Sequence, residues 1–411
     1  AGVNLATVGP RNESMVTVRG FDLRQIPVYM DGIPVYVPYD GYVDLGRFTT
    51  FDLSAIDVSK GFSSMLYVPN FLGGAINLIS RKPVQKIEWD AALGIINTNG
   101  YRANANWGAK FKKIYVQGGI SYLHRDGFGM SKEYKAHAHE QGGQRDNSYR
   151  TDQKLNLKIG WTPNEKHEYV LGYINQQGEK GNPVYAGDDS LNAQKTKPRY
   201  WQWPKWNKET VYFISRTELP GKSYVKSRLY YDIFTNSLNS FDDSTFTTQK
   251  KPYAFQSFYN DYTYGGMVEL GTGILPGNEL KASIQYKEDI HRENNLNEPV
   301  RKFEDNTLNF AVENIYRFAR KWMIIPGISY SQRKNLRAED YNSKTNVISD
   351  YPGARTSAAL NYQLGVFYDL GNQHKINATA SRKTRFATFK DRYSYRMGTA
   401  IPNPDLKPEM S

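Results

Sequence analysis

Beyond residue 83 the chain alternates apolar and polar side chains in runs of about ten residues. This is the period of a β-strand with one face in an apolar medium and the other in a polar one. Tyr101, Ala103, Ala105, Trp107, Ala109 and Phe111 alternate with Arg102, Asn104, Asn106, Gly108 and Lys110. Leu155, Leu157, Ile159 and Trp161 alternate with Lys154, Asn156, Lys158 and Gly160. The same separation recurs at Val225–Ile233 and Leu280–Lys287, and its longest face runs from Ala358 to Leu370. About 13 strands are predicted on this pattern: near 87–97, 101–111, 114–124, 152–161, 168–177, 207–217, 223–235, 258–272, 279–290, 306–318, 322–333, 357–370 and 375–385. In the 357–370 run, Leu360, Tyr362, Leu364, Val366 and Tyr368 are expected to face lipid, and Asn361, Gln363 and Asp369 the interior.

The connections alternate as well. Short ones fall at Lys112-Lys113, Thr162–His167, Leu219–Lys222, Leu275–Asn278, Ala319–Lys321 and Gly371–His374, several with turn-forming Pro, Gly or Asn. Long polar ones fall at about 125–149, 178–205, 237–256, 291–304, 335–356 and 386–408. Short turns on one rim and long loops on the other are the asymmetry of an outer-membrane barrel. A soluble β-sandwich needs neither strands this long nor loop lengths this regular. No stretch approaches the roughly 18–20 apolar residues of a membrane-spanning helix. Single-chain bacterial barrels have even strand numbers, and an open sheet leaves orphan backbone groups in hydrocarbon. The barrel is therefore expected to continue outside this sequence, which opens on Ala1 without an initiator Met and closes on the polar Pro408-Glu409-Met410-Ser411.

Residues 1–83 differ in texture: short β-prone runs at Met15–Val18, Pro27–Met30, Ile56–Ser59 and Ala75–Ser80 are separated by Gly, Pro and Asp, which predicts a small mixed domain. Five stretches here, Val18-Arg19-Gly20-Phe21, Val28–Val35 (VYMDGIPV), Ile56–Gly61 (IDVSKG), Leu66–Asn70 (LYVPN) and Gly73–Leu78 (GGAINL), resemble the plug domain of TonB-dependent outer-membrane receptors. Ile401–Glu409 (IPNPDLKPE) resembles a motif these receptors place in a late barrel loop. Val68 stands where the family usually has Gly, which alters the expected local turn.

The resemblance implies a mainly β fold: a 22-stranded transmembrane antiparallel barrel with an N-terminal mixed α/β plug domain in its lumen. Residues 1–83 would be the C-terminal part of the plug and 84–411 the N-terminal part of the barrel. It further implies a monomer in the bacterial outer membrane, in contact with the lipid bilayer and lipopolysaccharide. There it would bind a ferric siderophore or similar chelate and take energy from the TonB–ExbB–ExbD complex; cobalamin or an oligosaccharide is the alternative cargo. Arg19 and Lys60 are implied as plug cations pairing with barrel-wall carboxylates, Glu409 among them. The plug loop with Tyr36, Tyr39, Asp40 and Tyr42, together with Tyr67, is implied as the floor of the ligand site; amphipathic aromatics suit that task.

Composition narrows the partners. Lys and Arg number 53 against 41 Asp and Glu, a formal +12, yet residues 1–83 carry seven of each sign, so the excess lies wholly in the barrel portion. It is spread over strands and loops without a basic helix, which argues against nucleic acid and for attraction of anionic chelates. The absence of cysteine excludes disulfides and thiolate metal sites. In the loop Arg199-Tyr200-Trp201-Gln202-Trp203-Pro204-Lys205-Trp206, Arg199, Trp201 and Trp203 are expected to line the vestibule, whereas Trp206 is expected in an interfacial belt. His137 and His139 have the spacing of a weak metal pair. No catalytic constellation, cofactor motif or P-loop appears. A passive porin would lack the N-terminal domain, and an outer-membrane enzyme would need a nucleophile or activated water that the strands do not offer.

Overall fold

The computed structural model describes residues 2–8, 11–67, 69–136, 139–187, 197–353, 356–371, 373–395 and 398–411. Val68 and His137 lie outside these. The N-terminal region forms a hairpin of β1 (Val3–Val8) and β2 (Glu13–Val18), followed by β3 (Val28–Met30), β4 (Ile33–Pro34), β5 (Leu53–Lys60) and β6 (Gly74–Ser80). The last four make one sheet in the order β4-β3-β6-β5, in which β3 and β6 run parallel. Its core gathers Val18, Leu23, Ile26, Val28, Met30, Val43 and Ile76. The Gly73-Gly74 pair serves close packing: a Cβ on Gly73 would lie 2.4 Å from the Phe21 ring, and one on Gly74 2.2 Å from the Ser59 carbonyl oxygen.

The remaining strands are β7 (Ile87–Ile96), β8 (Gly100–Lys110), β9 (Ile114–Arg125), β10 (Arg150–Asn164), β11 (His167–Gly181), β12 (Trp201–Leu219), β13 (Ser223–Ser240), β14 (Phe255–Thr272), β15 (Asn278–Asn295), β16 (Arg301–Phe318), β17 (Trp322–Asn342), β18 (Val347–Asp350), β19 (Thr356–Gly371) and β20 (His374–Arg382). They form one 14-stranded antiparallel meander, each strand beside its sequence neighbour, with β18 attached to the end of β17. Each of the 13 expected strands has its counterpart. The outward faces carry Leu155, Leu157, Ile159, Trp161, Leu360, Tyr362 and Leu364, all exposed, while Lys154, Asn156, Lys158, Asn361 and Gln363 are buried on the inner face. Apolar residues outside and polar residues inside are the inverse of a soluble protein and the signature of a sheet in lipid around a polar lumen.

Three expectations are corrected. The stretches 291–304 and 335–356, read as loops, are mostly strand: β15 and β16 leave only 296–300 between them, and β17 runs on to pair with β18. Their ladders continue past the lipid, where neither face is apolar and the alternation that reveals a strand is lost. Asp369 is exposed at the short-turn end and accepts the Gly371 N–H instead of lining the interior. Trp206 is buried against plug residues, not in a lipid-facing belt. The cause is a bulge between Gln202 and Lys205, whose extra residue brings Trp201, Trp203 and Trp206 to one face despite their odd and even numbers.

Replacing Leu364 by Arg should cost about 2–4 kcal/mol if it lies near the bilayer midplane. Urea unfolding of the protein refolded into vesicles measures this, and a bilayer-confined photolabel should reach Leu360, Tyr362 and Leu364 but not Asn361 or Gln363.

Candidate ligand site and the plug–barrel interface

The inner face of the barrel is polar, so whatever fills it must offer complementary charge. The N-terminal domain does so with carboxylates and with cations. Asp52 pairs with Lys154 at 2.7 Å and also accepts from Asn156; Asp44 pairs with Lys180 at 2.8 Å, and Asp31 with Lys158 at 3.7 Å. Lys154 and Lys158 are four residues apart on the inner face of β10, with Asn156 between them, and Lys180 follows on β11, so adjacent strands present an ammonium ladder. Other pairs have the opposite sense: buried Arg47 reaches Asp152 at 3.2 Å, Lys82 reaches Glu168 at 2.5 Å, Arg24 reaches Asp391 at 3.7 Å, and Arg81 meets Asp90. Across the lumen Glu313 accepts the Met65 N–H at 2.9 Å and the Ser64 hydroxyl at 3.1 Å, and Lys383 donates to the Ser63 hydroxyl at 3.0 Å. The domain is thus held from both sides of the sheet.

Cations of the N-terminal domain do meet barrel carboxylates, but not the two that were expected to. Arg19 and Lys60 are both exposed and make no ion pair among the described residues; Arg19, at φ 53°, folds its guanidinium against Gly61. Glu409 does meet the N-terminal domain, but through the Gln25 amide at 2.5 Å, and its ion pair is with Arg385 at 2.8 Å. Cations on strands show in the sequence only as interruptions of an apolar alternation, and their partners are decided by how the domain seats.

The end of the plug that faces the long-loop rim is the stretch 35–48. Tyr39 lies 5.4 Å from Tyr259 and 4.6 Å from His291, ring to ring, near the long-loop ends of β14 and β15. His291 is fully buried, 2.8 Å from Asp261 and 3.4 Å from Glu293. Asp40 is bound by Arg11 at 3.2 Å and Lys390 at 2.5 Å. Burial pushes the Asp40 carboxyl up, but these two cations overcome it and hold its pKa well below the usual carboxylate range. Tyr42 is core, its hydroxyl donating to Glu13 and accepting from Arg11. Tyr36 turns to the wall, donating to Asp289 at 2.5 Å beneath the Lys287 ammonium. Tyr67 packs beside Tyr29, ring centroids 6.0 Å apart, deeper along the wall. Trp201 is buried with its indole N–H on Ser240, Arg199 lies 4.5 Å over its ring, and Trp203 receives Lys180 at 5.1 Å. His139 approaches Tyr200 at 3.5 Å.

The residues expected to form one ligand floor therefore divide. Tyr39 and Arg199 remain partly open, Trp203 borders a small hollow with Arg11, Asn236 and Tyr259, and Asp40, Tyr42 and Trp201 spend their polar groups on the protein itself. Residues not singled out from the sequence complete the arrangement. After β20 the chain turns inward and forms a short helix, α1 (Phe389–Tyr393), whose Thr388 and Asp391 make a capping box. Phe389 and Tyr393 pack on Phe303 and Ala338, Lys390 holds Asp40, and Arg392 meets Asp305. The Thr-x-x-Asp spacing was the available signal for this helix start.

A lipid-adapted antiparallel sheet wrapped around its own N-terminal domain is the architecture of a plugged outer-membrane receptor. Residues 1–75 match the TonB-dependent Receptor Plug Domain and residues 160–411 the TonB dependent receptor-like beta-barrel, and the chain belongs to this family. Among solved structures it is similar to the copper transporter OprC (TM-score 0.78, 14% identity, 100% of this chain and 65% of that one). It is similar too to the ferric citrate transporter FecA in its unliganded form (0.73, 16%, 100% and 62%). A third is the pyoverdine outer membrane receptor FpvA from Pseudomonas aeruginosa PAO1, bound to pyoverdine (0.66, 13%, 94% and 58%). The chain spans less than two-thirds of the length of each.

Two outcomes are expected. Lys154→Met leaves Asp52 buried without its ammonium and should destabilise the plugged protein by about 3–5 kcal/mol, whereas adding Asp52→Leu should restore most of it; urea unfolding in detergent micelles compares them. The Asp40 carboxylate, with a depressed folded pKa, contributes stability present above about pH 4 and lost as pH falls below it. Proteolysis within 386–395 should accelerate over that range, and less so in Asp40→Asn.

Proposed function

We propose that this chain forms the plug, residues 1–83, and the adjoining barrel wall, residues 84–411, of a TonB-dependent importer of a scarce nutrient chelate, of the ferric-siderophore type, across the outer membrane. The observation that carries this reading is a plug seated in the polar lumen by buried ion pairs, with aromatic and cationic side chains gathered where its outer end meets the long-loop rim. Such an arrangement has no use in an open pore. A chelate entering from the long-loop side meets Tyr39 and Arg199 first. The Lys and Arg excess of the barrel portion draws an anionic molecule toward that rim.

The names of proteins with similar folds specify copper, ferric citrate and pyoverdine, two of them chelating anions. Energy from TonB, ExbB and ExbD would act on the periplasmic side of the plug. Ligand at the outer end shifts the plug between arrangements only so far as it binds one of them better, roughly 1–3 kcal/mol in a typical coupling.

In cells expressing the intact receptor, Tyr39→Ala combined with Arg199→Ala should weaken the apparent affinity for the cognate iron chelate by about 1–3 kcal/mol, with heat-modifiable gel mobility of the barrel unchanged. Uptake of radioiron-loaded chelate measures it. Unaltered affinity removes the outer end of the plug from the recognition surface.

A further inference from the structure

A cavity of about 150 Å³ lies between the β3–β4 hairpin and the plug stretch that follows it, the wall strands β13 to β17 and the inward segment 386–389; Tyr36, Tyr42 and Tyr67 of the expected floor line its plug side. Its wall is ordered by register. Arg228 stands opposite Met267, Met267 opposite Gln285, and Gln285 opposite Asn309, so Arg228 and Asn309 share one level three strand spacings apart, about 14 Å along the wall. Arg333 is opposite Thr307, two residues along β16 from Asn309. At these three residues the Arg228 Nε, Asn309 Nδ2 and Arg333 Nε atoms are buried and make no hydrogen bond among the described residues; Arg228 and Arg333 stand at 3.8 Å from Glu269 and Asp305, ion-pair distance without a hydrogen bond at Nε.

All three are donors. The Asn309 carbonyl already accepts from Ser331 at 2.7 Å, so it is the amide N–H that is left over. The two acids that border the cavity are already satisfied. Asp289 takes Tyr36 at 2.5 Å, Lys287 at 2.7 Å and Thr263 at 3.0 Å, and Asp305 takes Asn335 at 3.0 Å and also Arg392. The cavity thus has a surplus of hydrogen-bond-donating surface spread over a width greater than one small ion. The plug accommodates it with Gly32, where a Cβ would stand 2.5 Å from Arg228 Nε and φ is +81°. A buried donor without a partner costs free energy, which an acceptor entering the cavity recovers.

We propose that this cavity is an internal binding site for a multidentate oxyanion, a molecule presenting several carboxylate or phenolate oxygens, with Arg228, Asn309 and Arg333 as its donors. Where that molecule is the transported chelate, the assignment rests on the uptake reading above and makes the cavity a second station between the outer end of the plug and the periplasm; a free polycarboxylate has the same chemistry.

The test uses the intact receptor and two probes: radiolabelled citrate in equilibrium dialysis with purified protein, and cells scored for surface binding and for uptake of the iron chelate. Arg228→Met combined with Asn309→Leu should weaken citrate binding by about tenfold or more, and Arg228→Lys should retain part of it. If the occupant is the cargo, the double variant also lowers uptake severalfold while surface binding stays as in the wild type. Lost citrate binding with normal uptake supports the site for a free anion. Absence of saturable citrate binding in the wild type, or citrate binding unchanged in the double variant, overturns the proposal. Wild-type cells that take up no chelate refute the uptake reading alone, since the citrate measurement still decides the site.

Discussion

The constraint on which the structure depends is that a sheet meeting hydrocarbon on one face must turn its polar residues to the other. No water in the bilayer can pair the backbone, so every strand pairs with its neighbour, and the inner wall becomes a cylinder segment of Lys, Asn, Gln, Asp and Glu. Such a wall is costly to bury against anything apolar. The N-terminal domain answers it with Asp31, Asp44 and Asp52 opposite Lys158, Lys180 and Lys154, and with backbone N–H groups opposite Glu313. Buried ion pairs of this kind add little net stability, because desolvation consumes most of their attraction, but breaking one side is expensive. They fix where the domain sits more than they add to its stability.

The same logic explains why the outer end of the plug is not a free aromatic platform. Asp40 and Tyr42 are drawn into a network with Arg11, Glu13 and Lys390, and the segment after β20 closes over them. The open surface shrinks to Tyr39, Arg199 and the edge of Trp203, while the donor-rich cavity opens along β13 to β17. The open outer end and the donor-rich cavity are joined by residues 386–389, which border the cavity and lead into the helix that grips Asp40.

Strand identity, strand order and the sidedness of most strands are determined by the sequence alone, because lipid outside and polar contents inside impose a period of two that no other environment imitates over so many consecutive runs. In the plug the resemblance rests on glycines whose places the structure explains: Gly73 and Gly74 stand where the Phe21 ring and the Ser59 carbonyl leave no room for a Cβ. The reading falters wherever the lipid stops. β15, β16 and β17 run on into water, and their polar ends read as loops. The bulge at Gln202–Lys205 moves Trp206 from an expected belt to the plug core, because one inserted residue inverts a face and leaves no compositional mark. Pairing across the lumen is likewise a tertiary decision. Arg19 and Lys60 have the charge to bind the wall, yet the seating of the domain turns Arg47 and Lys82 to wall carboxylates and Asp52, Asp44 and Asp31 to the lysine ladder instead, and no local pattern encodes which distant charges will pair.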